Sequence, residues 1–424
     1  MAENLNLNYT LSKECLPVSG ESQLLYTLIE IGAGQIGAAT KGMPFNLALL
    51  LDRSGSMDGR KIENLREAVK NVVDSLSEKD RISIVIFDDE VEVLLSNQAP
   101  TDKAGIKNKI DDIIPRGGTQ ISDGLKKAIE EIKKGASKDM VSRILLLTDG
   151  ETWDDEKKCE ELSAEAKKAG VSITAVGLGD EWNENLLISI GEKSGGDSYW
   201  IEKPEDIMAR FTSEVAGLRD VVATNLNVIY KLSKGVEPLR IYRVKPMISD
   251  LGRSVVGSGN ISVSLGEVDG AVGQSLLVET ILPSKDAGRF RVGQIEISYD
   301  VPSKGIRQEK IKADVVLNFS ADQALTAKVN AKVMNVVERV NAFKLQTRAL
   351  TEARLGNTIA ATKKLQVAAT RLLELGEVEL AKTAKMEAEN LAKGGSLTSA
   401  GTKKLQYETR RLTRKLLDEI EAGK

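Results

Sequence analysis

Five oxygen-bearing side chains stand just beyond apolar runs or just ahead of a helical pattern in this 424-residue chain. In "NLALLLDRSGSMDG" a strand-like run stops at Asp52, and Ser54 and Ser56 follow at alternate positions. In "PRGGTQISDGL" Thr119 follows Gly118 just ahead of a helical pattern, and in "RILLLTDGE" Asp149 closes another apolar run. Each segment alone fits something plainer, a turn or a helix N-cap. Together they offer carboxylates and hydroxyls with no nitrogen or sulfur, the donor set of a hard cation. Mg2+ takes octahedral oxygen coordination and keeps several waters, so few direct anionic ligands leave it electrophilic. An Asp or Glu from another molecule can complete such a shell through a charge-assisted contact. Mn2+ and Ca2+ are the alternatives to Mg2+.

For these segments to meet, strands must deliver them to one edge of a sheet. From Asn46 to about Gly217 strand-like and helix-like segments alternate, which predicts an α/β, Rossmann-like, mostly parallel sheet flanked by helices. The tight "DDE" turn adds one antiparallel edge strand. Such sheets bind ligands beyond the carboxyl ends of their strands. A helix is expected over "KAGIKNKIDDII". Arg53 and Gly55 read as spacers, with Gly55 letting the loop turn. The acids Asp88, Asp89, Glu151, Asp154 and Asp155 read as solvated loop charges near the same edge. Trp153, beside Asp154, is either an exposed interface anchor or packed on the following helix.

From about Asp220 to Ser320 the pattern is strands and turns only, which predicts a β-sandwich. The N-terminal "NLNLNYTLS" and "QLLYTLIEIG" are strands without a sheet of their own. Their pairing with the later strands would make the α/β unit an insertion. After Ala321 helical periodicity takes over, with single helices expected over "ALTAKVNAKVMNVVERVNAFKLQTRAL" and "TKKLQYETRRLTRKLLDEI", packed on the sandwich. Arg410, Arg411, Arg414 and Lys415, interleaved with acids, read as a solvated helix face. The expected divisions are 1–40, N-terminal strands of the sandwich; 41–218, the α/β domain; 219–320, the sandwich; 321–424, the helical region.

Composition narrows the chemistry. The chain has no histidine, so His-based acid/base catalysis and His-ligated zinc are excluded; its net charge of -3 points to neither nucleic acid nor an anionic membrane. Two distant cysteines without a C-x-x-C spacing fit a reducing compartment. No apolar run approaches the roughly 20 residues of a membrane span, and no basic-then-apolar leader opens the sequence. A cytoplasmic, soluble protein is the expectation.

The combination of D-x-S-x-S, a distant Thr and a distant T-D-G resembles the von Willebrand factor A (VWA) family with a complete metal-ion-dependent adhesion site (MIDAS). Asp52, Ser54, Ser56, Thr119 and Asp149 match its positions in order. The resemblance covers about Asn46 to Gly217. It implies a metal-dependent protein–protein interaction module that borrows a partner's carboxylate, with Gly118, Trp153 and Asp154 as candidate partner contacts. The full layout resembles bacterial VWA proteins with flanking β-sandwich and helical regions, distantly like the inter-alpha-trypsin inhibitor heavy chains. An alternative is an intracellular adaptor or co-regulator of an AAA+ ATPase or multiprotein complex, using the C-terminal helices as a second surface. A phosphotransferase of the haloacid dehalogenase kind would need an acid where Ser54 stands, and no G-x-x-x-x-G-K-[ST] loop is present to cradle phosphates. A non-enzymatic protein is therefore expected.

Overall fold

Strands β1 (Leu5–Leu11), β2 (Cys15–Pro17) and β3 (Gln23–Ala33) open the fold. In the computed structural model, which describes residues 4–34, 43–137, 139–152, 154–252, 255–256 and 259–421, an α/β unit follows. Its elements are β4 (Phe45–Asp52), α1 (Arg60–Ser75), β5 (Arg81–Phe87), β6 (Val91–Gln98), α2 (Lys103–Asp111), α3 (Ile121–Lys134), β7 (Val141–Thr148), α4 (Glu156–Lys168), β8 (Val171–Leu178), α5 (Glu184–Ser194), β9 (Ser198–Ile201) and α6 (Ile207–Arg219).

These strands form one six-stranded sheet in the order β6-β5-β4-β7-β8-β9. All neighbours are parallel except β6, which runs antiparallel to β5. Strand β4 is buried at every position, because helices cover both faces of a parallel sheet and a continuous apolar run suits that setting. The two-residue strand period sorts the run. Leu47, Leu49 and Leu51 pack with Ile62, Leu65 and Val69 of α1 and Phe211 of α6, whereas Ala48 and Leu50 pack with Leu125, Ile129 and Ile132 of α3. Helix α2 stops at Asp111 instead of continuing to Ile114. Pro115 follows Ile114 and disfavours helical backbone there, while Arg66 Nε donates to the freed Ile113 carbonyl at 3.1 Å.

The chain then returns to strands: β10 (Val221–Leu232), β11 (Glu237–Lys245), β12 (Ser249–Gly252), β13 (Val255–Val256), β14 (Asn260–Asp269), β15 (Gln274–Leu282), β16 (Gly288–Val301) and β17 (Ile306–Ser320). They form two sheets, β1-β3-β15-β11-β12 and β13-β14-β10-β16-β17-β2. Strand β3 pairs antiparallel with β15, and β2 pairs parallel with β17. Strands from before and after the α/β unit therefore share the same sheets. Leu25, Ile29 and Ile31 of β3 meet Val228, Tyr230 and Ile295 between the sheets.

Helices α7 (Gln323–Thr326), α8 (Ala331–Arg354), α9 (Thr358–Glu374), α10 (Val378–Ala392), α11 (Ser399–Arg410) and α12 (Leu412–Glu421) close the described chain. Two long helices expected from periodicity are each broken. The first breaks before Asn330, whose side chain caps α8 by accepting from Val333 N–H at 3.1 Å. The second breaks at Arg411, where Ile248 N–H takes the Arg410 carbonyl at 2.7 Å. Val333, Val336 and Val340 of α8 pack on Leu28, Tyr242 and Leu277 of the five-stranded sheet. Arg410 is not on a solvated face. It is 6% exposed and is ion-paired with Glu192, because α11 lies against α5 and β9 instead of water.

That contact ties the helical region to the α/β unit. Tyr407 is 1% exposed; its hydroxyl lies 2.8 Å from Ser198 Oγ, and its ring meets Trp182 edge-on at 5.8 Å. Lys403 sits 4.8 Å from the Trp182 ring centroid and donates to the Asp180 carbonyl at 2.8 Å. No helix among the described residues is long and apolar enough to cross a membrane. Urea unfolding should rank the Tyr407 variants: Tyr407→Phe is expected to cost about 1 kcal/mol through the lost hydrogen bond, and Tyr407→Ala about 3–5 kcal/mol through the cavity. Equal losses would contradict this docking.

Candidate metal centre

Parallel register brings the loops together. Asp52 pairs with Phe87 on one side, and on the other Leu51 pairs with Leu147, so Thr148 and Asp149 leave β7 beside Asp52. Asp52 is 0% exposed and Asp149 1%. Asp52 Oδ1 accepts from Ser54 N–H at 2.7 Å, which bends the chain directly after the strand. Its Oδ2 accepts from the Thr148 hydroxyl. Residues Gly55–Met57 form one 3-10 turn, and Met57 is buried beneath it.

Ser54 Oγ and Ser56 Oγ lie 3.0 Å apart. Asp149 Oδ1 lies 2.7 Å from Ser56 Oγ and 3.5 Å from Ser54 Oγ. These three oxygens form a triangle whose sides bracket the roughly 3.0 Å separating neighbouring oxygens of an octahedral Mg2+ shell with bonds near 2.1 Å. An all-oxygen donor set of this spacing fits a hard cation. Thr119 lies beside the residue that follows Asp149: a Cβ at Gly150 would be 2.7 Å from its Oγ1. Among the described residues no three carboxylate, thiol or imidazole side chains converge as a metal cluster. The candidate centre consists of two acids with three hydroxyls.

The Thr119 loop is stitched to the first loop by its backbone. Gly55 N–H donates to Gly117 O at 3.0 Å, and Arg116 N–H to Arg53 O at 2.7 Å. Arg53 is no spacer. It is 5% exposed, and its guanidinium donates to Asp88 at 2.7 Å and Glu92 at 2.9 Å. Asp88 is likewise not a solvated loop charge, at 2% exposure. It accepts from Arg53, from Arg116 at 3.0 Å and from Glu90 N–H at 2.6 Å, while its carbonyl takes Gln120 N–H at 3.0 Å. Burial pushes its carboxyl up, but the Glu90 N–H and the two guanidiniums outweigh this and hold it below the usual carboxylate range. Asp155 is also buried, accepting from Ser122 N–H at 2.7 Å and Thr152 Oγ1 at 2.6 Å. Asp89, Glu151 and Asp154 are exposed.

Of the candidate partner contacts, Trp153 lies outside the described residues. Asp154 is exposed with a φ of 56°. Gly118 is exposed and gives its N–H to Asp89 Oδ2 at 2.8 Å. Lys61, on the first turn of α1, pairs with Asp149 Oδ2. Lys61, Thr148, Arg53 and Asp88 thus belong to the site's surroundings although none was named as a site residue. Thr148 had a signal in the T-D-G that ends its strand, and Asp88 in its place near the same edge; Lys61 had none.

Residues 46–210 match the von Willebrand factor type A domain, and residues 331–415 match the Sll0103-like C-terminal alpha-helical domain. A Synechocystis protein of uncharacterised function, sll0103, is 31% identical over 335 residues, covering 77% of this chain and 78% of that one. The chain belongs to the von Willebrand factor type A domain family. Two further relatives share less of their length. The E3 ubiquitin-protein ligase WAV3 of Arabidopsis thaliana is 26% identical over 82% of this chain and 45% of its own. The inter-alpha-trypsin inhibitor heavy chain H3 of Rattus norvegicus is 26% identical over 44% and 22%. The solved structure of a von Willebrand factor type A protein from Catenulispora acidiphila covers 97% of both chains with a TM-score of 0.79 at 15% identity, a likeness of fold alone. VWA domains generally mediate protein–protein interaction and often hold a metal at a MIDAS.

Burial pushes the Asp52 carboxyl of this VWA domain up to about 6, against hydrogen bonds from Ser54 and Thr148 and with the nearby Asp149 charge adding to the rise. An acid whose folded pKa exceeds its unfolded one favours folding when protonated, so its contribution falls as pH rises from the unfolded value of 3.8 through about 6. In chelator, wild type should therefore lose about 1 kcal/mol from this group between about pH 5 and pH 7. Urea unfolding at both pH values should show a flatter dependence for Asp52→Asn; an unchanged slope would contradict the buried carboxylate.

Proposed function

We propose that this protein is a divalent-cation-dependent protein-binding module, in which a MIDAS made of Asp52, Ser54, Ser56, Thr119 and Asp149 recruits an Asp or Glu carboxylate from a partner protein. The observation that carries the reading is the oxygen triangle of Ser54, Ser56 and Asp149, backed by two almost fully buried acids. Mg2+ is the cation that the spacing favours, with Mn2+ or Ca2+ as alternatives. The metal would supply a positive charge that a carboxylate can approach. The chain's residues hold and shape that place: Asp52 fixes the loop through Ser54 N–H, the hydroxyls supply neutral oxygens, and Thr119 lies beside Gly150.

The same residues argue for binding over catalysis. Ser54 stands where a general acid would be needed, and the chain has no histidine. The ligase named among the relatives is more than twice the length that this chain matches. Cytoplasmic placement belongs to the same proposal.

A second reading, an adaptor that also uses its helices, draws on Ile359, Leu373, Val378 and Met386, apolar side chains that are more than half exposed on α9 and α10. Pull-downs from host lysate with Ile359→Asp and Leu373→Asp variants separate the two readings. Loss of partners despite an intact cation site favours the adaptor.

Calorimetric titration of chelator-treated protein with MgCl2, MnCl2 and CaCl2 tests the main reading. Asp52→Ala is expected to weaken cation binding about 100-fold and Thr119→Ala about tenfold. Cation affinity indistinguishable between wild type and Asp52→Ala would sink the assignment.

A further inference from the structure

We infer that Lys61 is a tethered competitor built into the candidate cation site: its ammonium neutralises Asp149 in the cation-free protein and must give up that carboxylate when a divalent cation binds. The inference rests on the metal reading above and deepens it, since it names what sets the site's affinity.

Lys61 Nζ pairs with Asp149 Oδ2, while Oδ1 of the same carboxylate faces the Ser54 and Ser56 hydroxyls. One acid is thus shared between the oxygen triangle and the ammonium. The Asp149 side chain is fully buried, but that of Lys61 is 30% exposed. The lysine reaches in from the rim, so it can withdraw into water without uncovering apolar core. Its four-carbon stem has the freedom to do so, and an ammonium is a compact, strongly hydrated charge that water readily takes back.

Its place in the helix points the same way. Lys61 is the second residue of α1, where the helix dipole and free N–H groups favour anions and disfavour cations. Local helix energetics therefore do not explain a lysine there, whereas the Asp149 carboxylate does. Among the described residues, Asp149 is the acid with which Lys61 is ion-paired. Arg53 and Arg116 are paired with Asp88, Glu90 and Glu92 in a separate network.

Charge bookkeeping gives the consequence. Asp52 and Asp149 bring two negative charges and Lys61 one positive, so the cation-free centre is only singly negative. A dication that displaces the ammonium takes over its balancing role, and the two acids and the cation are then neutral together. The ammonium's return to Asp149 is therefore the reaction that competes with cation binding.

The full chain, stripped with chelator and titrated calorimetrically with MgCl2 and MnCl2, tests this with Lys61→Met, Lys61→Gln and Lys61→Arg. Removing the charge (Met or Gln) should tighten cation binding by about tenfold, and keeping it (Arg) should not. Thermal unfolding supplies a second readout. Lys61→Met should melt below wild type in chelator, with the gap closing in saturating MgCl2. Cation binding by Lys61→Met and Lys61→Gln that is equal to or weaker than wild type overturns the competitor role. Absence of cation binding in wild type and in every variant instead removes the metal reading itself. Binding by the charge-removed variants alone upholds both.

Discussion

Two carboxylates, Asp52 and Asp149, are held almost without solvent at the ends of adjacent parallel strands. Like charges so placed repel each other and are costly to desolvate, and much of the surrounding edge is arranged to tolerate them. Ser54 N–H and the Thr148 hydroxyl serve Asp52; the Ser54 and Ser56 hydroxyls and the Lys61 ammonium serve Asp149. The parallel sheet makes the juxtaposition unavoidable, because β4 and β7 are in register and end together.

A second layer fixes the loops without touching the proposed cation. Asp88 gathers Arg53, Arg116 and Glu90 on its carboxylate and Gln120 on its carbonyl. It therefore ties the first loop to the loop bearing Thr119. A buried ion pair of this kind contributes little net stability but is costly to break, since removing one partner leaves the other charge stranded. Its value here is positional.

The α/β fold was legible because its information is periodic. The runs "NLALLLD", "RISIVIF" and "RILLLTD" announce buried strands, and Ile62, Leu65, Val69, Val72 and Val73 announce the face of α1 that packs on them. Helix breaks were not legible, because they answer to tertiary partners: Asn330 caps only if the chain turns there, and α11 ends where a sandwich amide claims its carbonyl. The five motif residues stood out through type and spacing, and the structure gathers their loops at one edge. Arg53, Asp88 and Arg410 could not be judged by the same means. A charged residue buried against a partner distant in sequence looks, in a linear string, the same as one in water.

The α/β unit is spliced into the sandwich at one end only. The chain comes in at Phe45, and α6 leaves by Arg219, which pairs with Asp80 just before β5 at 3.0 Å. Both connections thus lie at the starts of the strands, and the loops of the candidate site lie beyond their far ends. At that far rim, the loop after β8 is held by the helical region, through Lys403 and Ser399 on the Asp180 carbonyl and Arg354 on Glu184 at 2.9 Å. Its strand partner β7 carries Asp149, and Thr148 is in register with Gly177. The helical region is thus anchored one strand away from the strand that ends at Asp149, so a change in how those helices dock reaches the candidate site through β8 and not through the sandwich.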